Sequence, residues 1–249
     1  MTHPPTPLLP LRLAALTGLA AATLALALVA PAAAKDKPAP ATAAAWQEDF
    51  GEAACTLAST GRNDYFVLEP GHQLVLEGGG VKLQITVLDE TKVINGVTTR
   101  VVEEREWNKG QLHELSRNYY AFCPTTKDVL HFGEDVEVAG KDGKLVKDAG
   151  TWLAGSNGNR PGLVIPGTPR VGMRYFQEIA PGVTLNRGEV ISLTETCRTA
   201  AGSFSQCMKI RGTSGLDAKK LEYRYYAPQI GLVRDENLRL VRHGPAKAP

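Results

Sequence analysis

Between residues 73 and 107, apolar and polar residues alternate with a period of two, and turn-forming pairs interrupt the alternation. That combination confines the chain to antiparallel strands. Val81, Leu83, Ile85 and Val87 alternate with Lys82, Gln84 and Thr86, which buries one face of a strand and leaves the other polar. Gly78-Gly79-Gly80 separates this strand from Gln73–Glu77. Asn95-Gly96 lies between Thr91–Ile94 and Val97–Trp107, the preferred pair for a two-residue hairpin because both positions need positive φ. Lys109-Gly110 leads into Gln111–Phe122, where Leu112, Glu114, Ser116 and Asn118 fall on one side. The alternation there is poor enough to leave a short helix open.

Further strands are expected at Val129–Phe132, running into a polar turn at Gly133-Glu134-Asp135. A hairpin is expected across Gly140–Gly143, then strands at Arg174–Ile179, Gly188–Cys197, Phe204–Thr213, Leu221–Ala227 and Gly231–Val241. Residues Gly150–Gly172 are rich in glycine and proline and read as one long ordered loop, of a length that is often functional. The expected fold is mainly β: an antiparallel curved sheet or open barrel built from hairpins, with this long loop over it.

The N-terminus carries an address. Arg12 precedes an apolar run, Leu13–Val29, and Pro31 is followed by Ala32-Ala33-Ala34. A basic residue, an apolar stretch of about 17 residues and a small-residue cleavage site read as a secretory signal peptide, shorter than the roughly 20 residues of a membrane span. The expected organisation is a signal peptide at 1–34, a flexible Lys/Pro/Ala spacer at 35–45, a β-rich domain at 46–244 and a frayed tail at 245–249. The mature chain is then exported, periplasmic or extracellular, with no transmembrane anchor. Its charge is close to balanced, the whole chain having a formal net charge of +2, which argues against nucleic acid as a partner.

All four cysteines follow the signal, an even count that suits disulfides in an exported protein. Cys197 and Cys207 flank a hairpin-like turn and are expected to pair, leaving Cys55 with Cys123. No C-x-x-C or closely spaced Cys/His set is present, so no metal and no cofactor is expected.

Several short blocks occur in one order. Asp64–Gly71 (DYFVLEPG), Asn118–Ala121 (NYYA), His131–Asp135 (HFGED), Pro161–Pro166 (PGLVIP) and Tyr225–Ala227 with Gly231–Val233 are among them. This order resembles a widespread group of exported bacterial proteins that opens on an NPYFPL-x-PG motif. The resemblance spans about Tyr65–Val241. It implies an exported single domain and supplies no activity, cofactor or catalytic residue. Cys197 and Cys207 depart from that pattern.

Candidate chemistry is sparse. His131 beside Glu134 and Asp135 could form an acid/base pair, and a solvated strand histidine is the simpler alternative. Glu134, Asp135, Asp142 and Asp148 lack the order of a calcium loop, and no G-x-S-x-G occurs. Glu178 is expected on an apolar strand face, paired with Arg174 or Arg187. Trp152, Leu163 and Tyr175 are the candidate ligand-binding residues, the first two on the long loop acting as a lid. The resulting expectation is a non-enzymatic exported protein that binds a small apolar or amphipathic ligand or an envelope component. The alternatives are a structural surface protein without ligand, and a hydrolase using His131 with Glu134 or Asp135. N-terminal sequencing of the exported protein should begin at Lys35; retention of residues 1–34 would contradict the signal-peptide assignment.

Overall fold

The computed structural model describes residues 45–246. The expected signal peptide, nearly all of the spacer and the last three residues lie outside this range. No helix among the described residues is long and apolar enough to cross a membrane.

A small hairpin of β1 (Gly61–Asn63) and β2 (Phe66–Leu68) comes first. A meander of five longer strands follows: β3 (His72–Gly78), β4 (Val81–Ile94), β5 (Val97–Asn108), β6 (Gln111–Phe122) and β7 (Val129–Ala139). Three short strands then pair back onto β7: β8 (Leu145–Lys147), β9 (Trp152–Leu153) and β10 (Gly162–Ile165). The last six are β11 (Arg174–Phe176), β12 (Asn186–Thr199), β13 (Gly202–Ser214), β14 (Leu221–Ala227), β15 (Gly231–Asp235) and β16 (Leu238–Pro245). The main sheet has 14 antiparallel strands in the order β10-β7-β6-β5-β4-β3-β16-β15-β14-β13-β12-β11, with β8 and β9 also on β7. Pairing of β16 with β3 unites the two meanders. β10 and β11 share no ladder, so the sheet is not closed into a barrel; near its ends a single bridge joins Arg160 to Ile179.

The turn chemistry explains the meander. Asn95 and Gly96 have φ of 48° and 79°, and Lys109 and Gly110 have 50° and 83°, the paired positive values that match the twist of a two-residue hairpin. One face of the sheet turns inward and carries the larger apolar core, including Leu68, Val102, Tyr120, Leu130, Ile165, Met208 and Ile210. The sheet supplies its own opposing wall by curling.

Five expectations need correction. Gly133-Glu134-Asp135 is no turn: β7 continues through it to Ala139. Residues 150–172 are not one loop, because β9 and β10 bind both ends of that segment to β7. Gly231–Val241 splits into β15 and β16, and Pro245, assigned to the frayed tail, ends β16 opposite His72. Cys55 and Cys123 are joined, but Cys197 and Cys207 are buried free thiols. Irregular register sets Cys207 opposite Glu195 and Cys197 opposite Phe204. The sulfurs therefore meet diagonally in hydrogen-bond contact, and burial raises both thiol pKa values, that of Cys197 to about 12.

The Cys55–Cys123 bridge closes a separation of 68 residues, a constraint of about 4 kcal/mol in the chain-entropy model. Replacing both cysteines by serine should lower Tm by about 10 °C in a thermal melt. A change under about 2 °C would show that the bridge adds no stability.

Candidate functional site

On β6, Glu114, Ser116, Asn118 and Tyr120 share one face by strand alternation. Ser116 pairs with Glu104 of β5, and Asn118 pairs with Val102 of β5 and Glu134 of β7. Tyr120 pairs with His131. These polar side chains all face the inside of the curl and line a cavity of about 220 Å³.

His131 and Glu134 are three residues apart, a spacing that puts two side chains on opposite faces of a regular strand. A bulge brings them to the same face. Asn118 pairs with Glu134 and Tyr120 with His131, so Phe132 and Gly133 together oppose the single residue Tyr119. Gly133 has φ 137°, and a Cβ there would lie 2.4 Å from the Trp152 carbonyl oxygen and 2.8 Å from Leu153 Cα. Only glycine meets both demands. The HFGED block falls on this bulge.

His131 is 2% exposed. Its ring lies between Tyr120, at 4.8 Å between centroids, and Trp152, at 5.2 Å. Nδ1 is 3.7 Å from Glu178 Oε1, and Nε2 has no hydrogen-bond partner. Burial lowers the imidazole pKa against the opposing pull of Glu178. Glu178 is held from its other oxygen, where Thr184 Oγ1 and Asn186 Nδ2 each donate at 2.6 Å. Its nearest basic side chain in the cavity is thus the His131 imidazole, and the expected arginines are engaged elsewhere. Arg174 pairs with Glu189 at 3.2 Å, and Arg187 donates to the Ser214 carbonyl.

Arg224 is the one guanidinium in the cavity wall, and it is already engaged. Nε is 3.3 Å from Asp235 Oδ2 and an Nη is 3.1 Å from Glu222 Oε1. Glu104, Glu114 and Glu134 line the same cavity with no ion-pair partner among the described residues. Burial, with the neighbouring carboxylates, pushes Glu104 up to about 7, partly offset by Arg224. Burial and then Glu178 and Glu104 push Glu134 up to about 8, partly offset by the Trp152 indole. Both residues are half-buried because they border the cavity, while protein surrounds them. An apolar strip adjoins them: Phe66 from β2, Leu74 from β3, and Leu83, Ile85 and Val87 from β4, with Ile85 directly cross-strand from Glu104.

The residues singled out from sequence separate into three groups. His131 and Glu134 meet at the cavity. Asp135 points to the opposite face of β7, where Lys92 Nζ and Tyr119 Oη donate to it at 2.8 and 2.5 Å. Trp152, Leu163 and Tyr175, at 3%, 1% and 0% exposure, pack in the apolar core; Trp152 backs His131, and none of the three lines the cavity. Sequence reasoning missed Glu104, Glu114 and Arg224. The signal for the two glutamates was the polar content of both faces of β5 and β6. No cluster of three metal-ligating side chains occurs among the described residues. No protein-family model, curated protein or solved structure matches the chain.

A group whose folded pKa is raised retains a proton that the unfolded chain has lost. Stability from Glu104 and Glu134 is therefore present below about pH 4.5 and lost as pH rises toward 7 and 8. His131 acts oppositely, but only below its ordinary 6.5. Tm should accordingly fall between pH 6.5 and 9, and Glu134→Gln should flatten that fall. A Tm that rises over this interval in both proteins would contradict the buried-acid assignment. Trp152→Ala should cost about 3–5 kcal/mol in denaturant unfolding, as for a core aromatic; a loss under 1 kcal/mol would return Trp152 to the surface.

Proposed function

We propose that this is an exported binding protein that holds a small amphipathic ligand inside its curled sheet. The observation that carries the reading is the mixed lining of the cavity, where Leu83, Ile85 and Val87 adjoin Glu104, and Glu134 and Glu178 complete an acidic part. Ligand pockets combine an apolar lining with a few placed polar groups. The β1–β2 hairpin supplies a cover: Phe66 packs edge-on against Tyr120 at 5.4 Å, and Tyr65 Oη donates to the Gln206 carbonyl at 3.1 Å. Export is supported by the N-terminal address and by the Cys55–Cys123 disulfide.

The test is native mass spectrometry of the unreduced protein taken from the exported fraction. Extra mass that is lost on denaturation is expected. Ile85→Trp, which fills the cavity along its apolar strip, should remove that mass while leaving a cooperative melt. A bare mature mass in the wild type would favour a structural protein without ligand.

A second reading, acid–base catalysis, has one specific observation in its favour. At neutral pH the raised Glu134 carboxyl keeps its proton while the lowered His131 imidazole is neutral, so the cavity pairs an acid with a base. It predicts a bell-shaped pH–rate profile and loss of turnover in His131→Ala with the fold intact. The pair is His131 with Glu134; Asp135 is on the wrong face.

A further inference from the structure

We infer that the cavity's ligand is a small organic ammonium ion, its charge met by the carboxyl groups that line the cavity. This inference rests on the ligand-binding reading and names the chemistry of its polar end.

Five carboxyl groups line the cavity: Glu104 from β5, Glu114 from β6, Glu134 from β7, Glu178 after β11 and Asp235 from β15. Arg224 from β14 is the one strong base there, and Asp235 and Glu222 already pair with it. Two histidines, His72 and His131, have pKa values lowered by burial and are neutral at pH 8. Tyr120 and Tyr226 are raised by burial and stay neutral. Positive charge is therefore deficient by several units whenever the carboxyls ionise.

A second observation points to a missing partner. His131 is 2% exposed, lines the cavity, and leaves Nε2 without a hydrogen bond. The side chains of Glu104 and Glu114, half-buried at the same cavity, have no ion-pair partner among the described residues. Buried polar groups are satisfied in the great majority of cases, so a ligand with N–H donors and positive charge completes this wall. An anion would meet five carboxyls and is disfavoured. A metal ion would need several ligands converging on one point, and no such group of three is present among the described residues. Spread carboxyls beside an apolar strip suit an amphipathic cation: an ammonium head toward Glu104 and Glu134, and a short hydrocarbon tail along Leu83 and Ile85. About 220 Å³ accommodates a short-chain amine and excludes a two-chain lipid.

Without ligand, burial and mutual repulsion keep protons on Glu104 and Glu134. An arriving ammonium ion replaces those protons as the counter-charge, so binding releases protons and strengthens as pH rises toward 8.

The experiment is isothermal titration of the mature protein at pH 7 with three probes of equal tail length: hexylamine, 1-hexanol and hexanoate. The amine titration is repeated in two buffers of different ionisation enthalpy to count protons. Hexylamine should bind at least about tenfold more tightly than 1-hexanol, hexanoate should not bind, and proton release should accompany amine binding. The double variant Glu104→Gln, Glu134→Gln should lose most of the amine preference and most of the proton release. Binding of 1-hexanol or hexanoate as tightly as the amine overturns the inference and leaves the amphipathic reading standing. Amine binding without proton release overturns the exchange. No binding by any probe counts against both. The wild-type ranking stands by itself if the double variant fails to fold.

Discussion

The interior of this domain depends on one extra residue in β7. A regular strand would send His131 and Glu134 to opposite faces. The bulge at Phe132-Gly133 reverses the alternation, so both side chains face the cavity and Asp135 turns away toward Lys92 and Tyr119. The same glycine lets β9 lie against β7, since any side chain there would strike the Trp152 carbonyl. Trp152 in turn supports the ring of His131. Strand phase, loop docking and the orientation of the imidazole are thus consequences of a single backbone irregularity. Gly133→Val would be expected to disturb all three together.

Around that point the sheet does two things that conflict energetically. Its curl buries an apolar core that spans nearly every strand, and it encloses carboxyl groups that burial disfavours when charged. Arg224 offsets part of this cost through Asp235 and Glu222, but its ion pairs leave Glu104, Glu114 and Glu134 unmatched. Perturbed acids gathered in one concavity are characteristic of functional sites, where stability is traded for recognition or chemistry. The Cys55–Cys123 bridge supplies compensation elsewhere in the domain by restricting the unfolded chain.

Much of the architecture was legible in the residues. Asn95-Gly96 and Lys109-Gly110 specify hairpins through their positive φ values, and the alternation in Val81–Leu88 specifies a half-buried strand. The site was less legible, for a physical reason. Reading alternation assumes that the polar face meets water. In β5 and β6 that assumption fails, because Glu104, Glu114, Ser116 and Asn118 are polar and point inward. The poor alternation of Gln111–Phe122 recorded this two-sided polarity. Aromatic residues misled in the opposite direction: Trp152 and Tyr175 are large enough to line a site, yet both serve the core. Glycine in Gly133-Glu134-Asp135 read as a turn because a bulge and a turn share the same local signal. Only the pairing with β6 distinguishes them. Cys197 and Cys207 bracket a real hairpin, but its irregular register could not be read from spacing alone.

The central claim is that Glu104 and Glu134 are held together inside the curled sheet. The most direct measurement is a carbon-13 NMR titration of the glutamate side-chain carboxyls between pH 3 and 10, with assignments from Glu104→Gln and Glu134→Gln. The account predicts that these two carboxyls titrate near 7 and 8, and that removing Glu104 lowers the midpoint of Glu134. Midpoints for both near the ordinary 4.5 would mean that the carboxyls are solvated, and the acidic cavity would not exist as described.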